Sequence, residues 1–355
     1  MDYKLTISSS PHIHGAVSTS RLMWTVAAAL MPATLWSFYL FGLASVSVVI
    51  STVVFCMVFE ALTLLAMKKK PKLTDGSAAL SGLILALTLP PGLPIWICAI
   101  GAMVAMVIAK GVFGGLGQNP FNPAMTGRVF LLIAFPKPLT QWIVPRGTGE
   151  TLFQNSVTAL DAAGKVVAFG SPNVDVVTAA TPLALLKDYG VSQEGFKALL
   201  EFVPFKDMLL GSLNGSIGET SVLFLALGGV FLILSKVITW HIPVSCMAAI
   251  AVFGAIFGFE DVRLGGAAFH LFTGGAMLGA FFIATDYVTS PLYPKGKLIF
   301  GAGVGILTMV IRLWAGYPEG VSFAVLLMNA TVPLLDRYTK PRKFGARKLA
   351  AEGGH

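Results

Sequence analysis

The architecture follows from an apolar stretch that ends in a proline cluster, Leu80-Ser-Gly-Leu-Ile-Leu-Ala-Leu-Thr-Leu-Pro-Pro-Gly-Leu-Pro94. Residues 77–89 are apolar enough to enter a membrane, but the prolines that follow cannot continue a helix. Residues 95–110 are apolar again. Non-helical backbone at membrane depth is tolerated only where protein buries it or where it lines a cavity. The stretch therefore predicts a broken helix inside a membrane protein.

The composition of the whole chain supports a protein that crosses the membrane many times. Of 355 residues, 55% are hydrophobic and only 12% are charged, whereas soluble domains carry about 25% charged residues. The mean hydropathy is +0.78. The net charge of +8 comes from short basic clusters beside apolar runs, which is the pattern of cytoplasmic loops and not of a nucleic-acid interface.

The apolar runs and the basic clusters together predict a topology. Lys68-Lys69-Lys70-Pro71-Lys72 follows the second run, so that loop and residue 1 should be cytoplasmic. Five crossings then place residues 137–218 outside, and ten crossings return the basic tail 337–355 to the cytoplasm. The candidate spans are residues 22–42, 45–67, 77–89, 95–110, 124–136, 219–239, 242–259, 265–286, 297–314 and 320–336.

Five spans in each half suggest an internal repeat. Residues 80–94 resemble residues 272–294, and residues 117–126 resemble residues 316–331. Because five is odd, the two copies should be inverted in the membrane, with a site at their interface. The predicted fold is an all-α polytopic membrane protein of about ten helices, built from repeats 22–136 and 219–336. A cytoplasmic N-terminus (1–21), an extracytoplasmic segment (137–218) and the tail complete it.

A second interruption, Gly111-Val-Phe-Gly-Gly-Leu-Gly-Gln-Asn-Pro-Phe-Asn-Pro123, precedes the fifth span. The side chains of Gln118, Asn119, Asn122 and Arg128 lie in or just after it. Amides and a guanidinium at such a break can hold an anionic or heteroaromatic ligand. Equally, the amides can satisfy freed backbone groups while Arg128 reaches the cytoplasmic headgroups.

Ionisable residues inside spans are few, and each is a candidate for function. Glu60 and Lys236 lie near span ends, where a long side chain can reach the interface. Asp286 is interpreted as either a cation ligand or a helix cap. His270, a lone histidine in its span, is interpreted as a packing or hydrogen-bonding residue. Gly301-x-x-x-Gly305 is typical of close helix packing.

No soluble-enzyme motif accompanies these features. Cys56, Cys98 and Cys246 are isolated, without the spacing of a metal site. The chain contains no Walker loop, dinucleotide-binding glycine motif or nucleophile elbow. The sequence therefore predicts no metal and no NAD or ATP site of its own.

A polar stretch in the predicted outer segment, Asp175-Val-Val-Thr178-Ala179-Ala180-Thr181-Pro182, has two compatible interpretations. Thr181 can cap a helix whose first residue is Pro182. Its hydroxyl, displayed on a small-residue segment, is also accessible to a modifying enzyme.

The same stretch resembles the flavinylation motif Asp-x-x-Ser/Thr-Gly/Ala-Ala-Thr, with Ala179 where glycine is usual. Together with Asp75-Gly76, residues 117–128 and Thr285-Asp-Tyr-Val-Thr-Ser-Pro291, it is similar to the NqrB/RnfD family, and within it to the D subunits of Rnf electron-transport complexes. The B subunit of the sodium-pumping NADH:quinone oxidoreductase is the close alternative. That subunit has a longer N-terminal extension, so this sequence favours the Rnf side of the family.

The resemblance implies a subunit of an ion-translocating complex in the bacterial inner membrane, with both termini cytoplasmic. Other subunits would handle ferredoxin and NAD, and electron flow would drive sodium or proton transport. It implies FMN attached covalently to Thr181 by a flavin transferase, with Asp175 and Thr178 in recognition. The quinone-reductase relative suggests a second, non-covalent riboflavin. A small-molecule channel or secondary transporter, and a purely structural subunit, are the alternatives without flavin.

Overall fold

The computed structural model describes residues 18–69, 73–142, 158–160, 166–168, 181–184, 205–211, 214–219, 221–257, 263–317 and 319–341. Apart from one short β-ribbon, the regular elements of these residues are helical. The α-helices are α1 (Thr19–Phe41), α2 (Leu43–Ala66), α3 (Ser77–Leu87), α4 (Ile95–Met103), α5 (Pro123–Ala134), α6 (Pro136–Leu139), α7 (Phe205–Leu210), α8 (Val222–Leu234), α9 (His241–Ile256), α10 (Arg263–Phe272), α11 (Ala276–Leu278), α12 (Pro294–Trp314) and α13 (Val321–Thr339).

Every apolar run named in the sequence contains a helix in the structure. Three helices, α1, α2 and α12, are long and apolar enough to cross a membrane on their own, or four if the bent pair α10–α11 counts as one span. Five further helices of the described residues are apolar but shorter, at Ser77–Leu87, Ile95–Gly111, Pro123–Ala134, Val222–Leu234 and His241–Ile256. The structure thus confirms a helical protein with membrane-type helices, and the ten crossings stay a prediction.

The interruption predicted after residue 89 is present, and a further break divides the predicted span 265–286; each of these two breaks is followed by an irregular helix. α3 ends at Leu87, residues 88–94 are not helical, and α4 continues as a π-helix over Val104–Gly111. In the second half, α10 ends at Phe272 and the chain bends by 67° before α11 and a π-helix over Gly279–Ile283. Because π-helical turns recur at functional sites, both breaks are candidate functional positions.

Small residues allow the helices to approach closely. A Cβ atom on Gly127 would lie 2.7 Å from the carbonyl oxygen of Gly101, so α5 packs directly on the backbone of α4. Cβ atoms on Gly301 and Gly305 would each lie 2.6 Å from a carbonyl oxygen of α9. The predicted close packing of Gly301-x-x-x-Gly305 is therefore confirmed. One buried apolar cluster runs through both halves of the chain.

The interval 137–218 holds the only β-structure among the described residues. Strands β1 (Thr158–Leu160) and β2 (Val166–Ala168) pair antiparallel, with Thr158 opposite Ala168. Residues 181–184 and helix α7 also belong to this interval. α7 is tied to α1 because the indole Nε1 of Trp36 donates to the carbonyl oxygen of Leu210 at 2.8 Å. Asp175 and Thr178 lie outside the described residues.

Candidate functional site

Two concave sites lie at opposite ends of helix α1. The first, which we call the amide cavity, touches the start of α1 and is the larger of the two. The second, the Thr181 pocket, is smaller and lies at the end where α1 finishes. The predicted site residues are therefore divided between two places.

Both halves of the chain line the amide cavity. Its walls come from α1, α3, the π-helix Val104–Gly111, the loop before α5, α8 and the turn after the second π-helix. They are mostly apolar with a few polar groups, which is the usual character of a small-molecule site. The polar lining residues are Ser77, Ser81, Lys110, Asn119, Asn122, Thr285, Asp286 and Tyr287.

Asn122 is fixed at the cavity because it caps helix α5. Its Oδ1 accepts from the amide of Met125 at 3.2 Å, and Pro123 takes the first helical position. Its Nδ2 donates across the halves to the carbonyl oxygen of Ile283, at the end of the second π-helix, at 3.4 Å. Asn119 is also buried and donates to the carbonyl oxygen of Phe121 at 3.0 Å.

Asn329 of α13 completes this junction. With its side-chain oxygen facing Asn122, Asn329 accepts a hydrogen bond from the backbone N–H of Asn122 at 3.0 Å. Its side-chain nitrogen donates to the carbonyl oxygens of Thr289 and Val325, both at 3.1 Å. Sequence reasoning missed Asn329, although an asparagine inside an apolar helix is a usable signal. The amides therefore satisfy freed backbone groups, as one of the two interpretations expected, and Asn119 and Asn122 also line a cavity.

Gln118 and Arg128 are not among the residues that line the amide cavity. Gln118 is exposed and does not line the amide cavity. Arg128 is only 2% exposed, so the prediction that it reaches the headgroups is wrong. Its Nη2 donates to Oε2 of Glu319 at 2.8 Å, because burial of a guanidinium requires a paired acceptor.

A buried ion pair adjoins the amide cavity. Glu60 is 7% exposed and pairs with Lys110, so the prediction that it reaches the interface is wrong. Lys110 also donates to the Ser77 hydroxyl at 2.8 Å. Lys236, by contrast, is exposed as expected. Glu60 was misjudged because its partner is 50 residues away.

Asp286 behaves as a cap. The hydroxyl of Thr289 donates to Oδ2 of Asp286 at 3.0 Å. No group of three or more His, Cys, Asp or Glu side chains able to hold a metal ion occurs within the described ranges. The cap interpretation is thus favoured over the cation ligand.

Thr181 lies in the second site. Its Oγ1 accepts from the amide of Ala184 at 3.1 Å, so the predicted helix cap is confirmed. The side chain is only 4% exposed, and the expectation of an accessible hydroxyl is wrong for this packed state. Tertiary packing buries it: the Thr181 pocket is formed by residues 181–183, Asn214, Glu219, Phe272, Thr273, Gly274 and Glu319.

Arg312 supports the floor of the Thr181 pocket. Its Nη1 donates to the carbonyl oxygen of His270 at 2.6 Å and its Nη2 to that of Thr273 at 3.0 Å. These carbonyls are left without helical partners where α10 breaks. Arg312, which lies in the predicted span 297–314, therefore satisfies backbone carbonyls of the broken helix.

The comparisons with known proteins cover nearly the whole chain. Residues 6–345 match the model of the NQR2, RnfD, RnfE family. The chain is 42% identical over 349 residues to the D subunit of the proton-translocating ferredoxin:NAD(+) oxidoreductase complex of Clostridium ljungdahlii, covering 97% of each chain. It is 39% identical over 354 residues to the D subunit of the Na(+)-translocating ferredoxin:NAD(+) oxidoreductase complex of Acetobacterium woodii, covering 99% of this chain and 98% of that one.

A third relative, from Halorhodospira halophila, is named as the D subunit of an ion-translocating oxidoreductase complex. It is 41% identical over 347 residues, which is 97% of this chain and 96% of that one. The match to the family model runs from the polar residues before α1 into the basic tail after α13, so it includes both halves and the segment between them. The chain therefore belongs to the NQR2, RnfD, RnfE family.

Proposed function

We propose that this chain is the D subunit of an ion-translocating ferredoxin:NAD oxidoreductase, in the bacterial inner membrane with both termini cytoplasmic. The observation that carries the proposal is the full-length similarity, near 40% identity, to relatives that bear this name. Other membrane and peripheral subunits would handle ferredoxin and NAD. The named relatives differ in the ion they move, so the proposal covers both protons and sodium.

The chain would relay electrons through FMN bound covalently to Thr181. The hydroxyl oxygen of Thr181 accepts the Ala184 amide bond, and its own hydrogen takes no part in that bond. Replacing this hydrogen with a phosphoryl group can therefore leave the cap in place. Arg128 and Arg312, both buried near the pocket, offer positive charge against the phosphate. A flavin supplies one- or two-electron transfer when bound.

Burial of Thr181 constrains the order of events. A hydroxyl that is 4% exposed is out of reach of a flavin transferase. Under this proposal, the transferase acts before residues 181–184 pack against the bundle. Asp175 and Thr178 would then serve in recognition by the transferase.

Two replacements of Thr181 test the assignment in the assembled complex. Thr181→Val keeps the shape but removes the hydroxyl, and should abolish in-gel flavin fluorescence of this subunit. Thr181→Ser keeps the hydroxyl and should retain some fluorescence. The mass of the peptide that contains residue 181 gives an independent reading. Fluorescence that persists in Thr181→Val, or a native peptide of unmodified mass, would refute the flavin attachment.

Under the same proposal, the amide cavity is the candidate site for a second, non-covalent flavin such as riboflavin. Its apolar walls suit an aromatic ring system, and Asn119, Asn122 and Lys110 offer donors at its edge. A channel or secondary transporter of the same architecture is the competing function. It would be colourless and would move a solute when reconstituted alone, so the absorbance of the denatured protein separates the two.

A further inference from the structure

Two carboxyl groups meet on the wall of the Thr181 pocket. Glu219 belongs to a short 3₁₀ turn, Ile217–Glu219, which lies ahead of α8. Glu319 lies just before α13. Both side chains line the pocket beside Thr181, and the two carboxyls are close enough to hydrogen-bond with each other. Two carboxylates cannot make that bond unless one of them carries a proton.

Within the described part of the chain, Glu319 is paired with a positively charged side chain and Glu219 is not. Arg128 binds Oε2 of Glu319 at 2.8 Å. Glu219 has the hydroxyl of Ser216 as its other hydrogen-bonding partner, and no basic side chain of the described residues lies within ion-pair distance of it. The shared proton therefore belongs with Glu219.

Arg312, a further charged group nearby, does not form an ion pair with Glu219. It interacts electrostatically with both glutamates, but its Nη atoms donate to the carbonyl oxygens of His270 and Thr273. The His270 ring is buried too. Both Nη atoms of Arg312 are thus held at the broken end of α10 and do not pair with Glu219.

Several buried polar atoms around the pair have spare hydrogen-bonding capacity. Among the described residues, Arg128 Nη1 and Arg312 Nε have no hydrogen-bonding partner. Arg128 and Arg312 are themselves 2% and 3% exposed. Buried polar atoms are normally satisfied, so these two unused donors indicate that a further hydrogen-bond acceptor can bind near the pair.

We propose that Glu219 and Glu319 form a proton-binding pair that holds one proton at neutral pH and exchanges it with the Thr181 pocket. On release, the O–H bond of the Glu219 carboxyl breaks and the proton passes to a solvent water molecule as hydronium, which leaves two carboxylates near Arg128 and Arg312. A role for this proton in electron transfer at Thr181 rests on the function proposed above. The binding of the proton by the two carboxyls does not depend on that function.

Infrared spectroscopy of the purified complex tests the pair directly. At neutral pH the difference spectrum between the wild type and Glu219→Gln should contain the C=O stretch of a protonated carboxylic acid, which shifts to lower frequency in D2O. Bands from other carboxyls cancel in this difference. Glu60→Gln is the matched control, because Glu60 is buried beside Lys110 and should contribute no such band. Absence of the band in the first difference would overturn the proposal.

A second variant tests whether Glu219 holds its proton because of the neighbouring Glu319 carboxyl or only because Glu219 is removed from water. In Glu319→Gln the neighbouring negative charge is lost and Arg128 is released, so the Glu219 band should titrate at lower pH than in the wild type. An unchanged midpoint would show that the carboxyls do not form a pair. Repeating the measurement in Thr181→Val keeps the result independent of flavin: the band should persist there even if the attachment site has been assigned wrongly.

Discussion

Arg128 and Glu319 are 191 residues apart in sequence, yet Nη2 of Arg128 donates to Oε2 of Glu319 across 2.8 Å. Arg128 comes from α5, at the end of the first predicted repeat, and Glu319 precedes the last helix of the second. Their side chains are 2% and 14% exposed. A charge pair this deeply buried joins the two halves next to the Thr181 pocket.

Breaking this pair on one side should destabilise the protein strongly. Arg128→Met leaves the Glu319 carboxylate buried without its cation, and removing one partner of a buried pair costs about 3–5 kcal/mol. The double variant Arg128→Met/Glu319→Gln should recover much of that loss, because no unpaired charge remains. The melting temperature in detergent measures both effects. A double variant no more stable than Arg128→Met would contradict this account.

Gly274 should be intolerant of any side chain. It has φ +66°, and a Cβ atom would lie 2.7 Å from both Arg312 Nη2 and Leu183 Cδ1. Gly274→Ala should therefore displace residues 181–184 from the bundle and make residue 181 accessible. Increased protease cleavage near Thr181 is the measurement. Gly316→Ala is the matched control, since no atom lies within 4 Å of its Cβ position. Equal cleavage of the two variants would rule out the steric explanation.

Asn122 should matter through both of its amide atoms. Asn122→Ala removes the cap of α5, at a cost of about 1 kcal/mol, and also the bond to Ile283. Asn122→Asp keeps a capping oxygen but loses the Nδ2 donor and places a carboxylate near the Ile283 carbonyl. If only capping matters, Asn122→Asp should melt like the wild type. We expect it to melt lower, because the amide also joins the halves.

The amide cavity can be filled from its wall without touching the Thr181 pocket. Ser81→Phe adds a ring at a lining position of the cavity. The flavin released on denaturation should fall, while the covalent fluorescence of the subunit should be unchanged. Leu62→Phe, on the exposed face of α2, is the control for a mere increase in volume. Unchanged release in Ser81→Phe would exclude a non-covalent flavin from this cavity.

The elements of the fold were predictable because they depend on local sequence. Apolar runs gave the helices, prolines and glycines gave the breaks after α3 and before α5, and Thr181-Pro182 gave a helix start that the Ala184 amide bond confirms. Each of these signals acts within a few residues. Membership of the family was predictable for the same reason, since short motifs along the chain carry it.

The partners of the buried polar groups required the three-dimensional arrangement. Glu60 with Lys110, Arg128 with Glu319, and Asn122 with Asn329 are joined across distant segments. No local pattern says which buried charge will face which, so Glu60 and Arg128 were wrongly placed at the membrane surface. The burial of Thr181 is of the same kind. Propensity and hydropathy act along the chain, whereas the pairing of charges in a low-dielectric interior depends on which helices pack together.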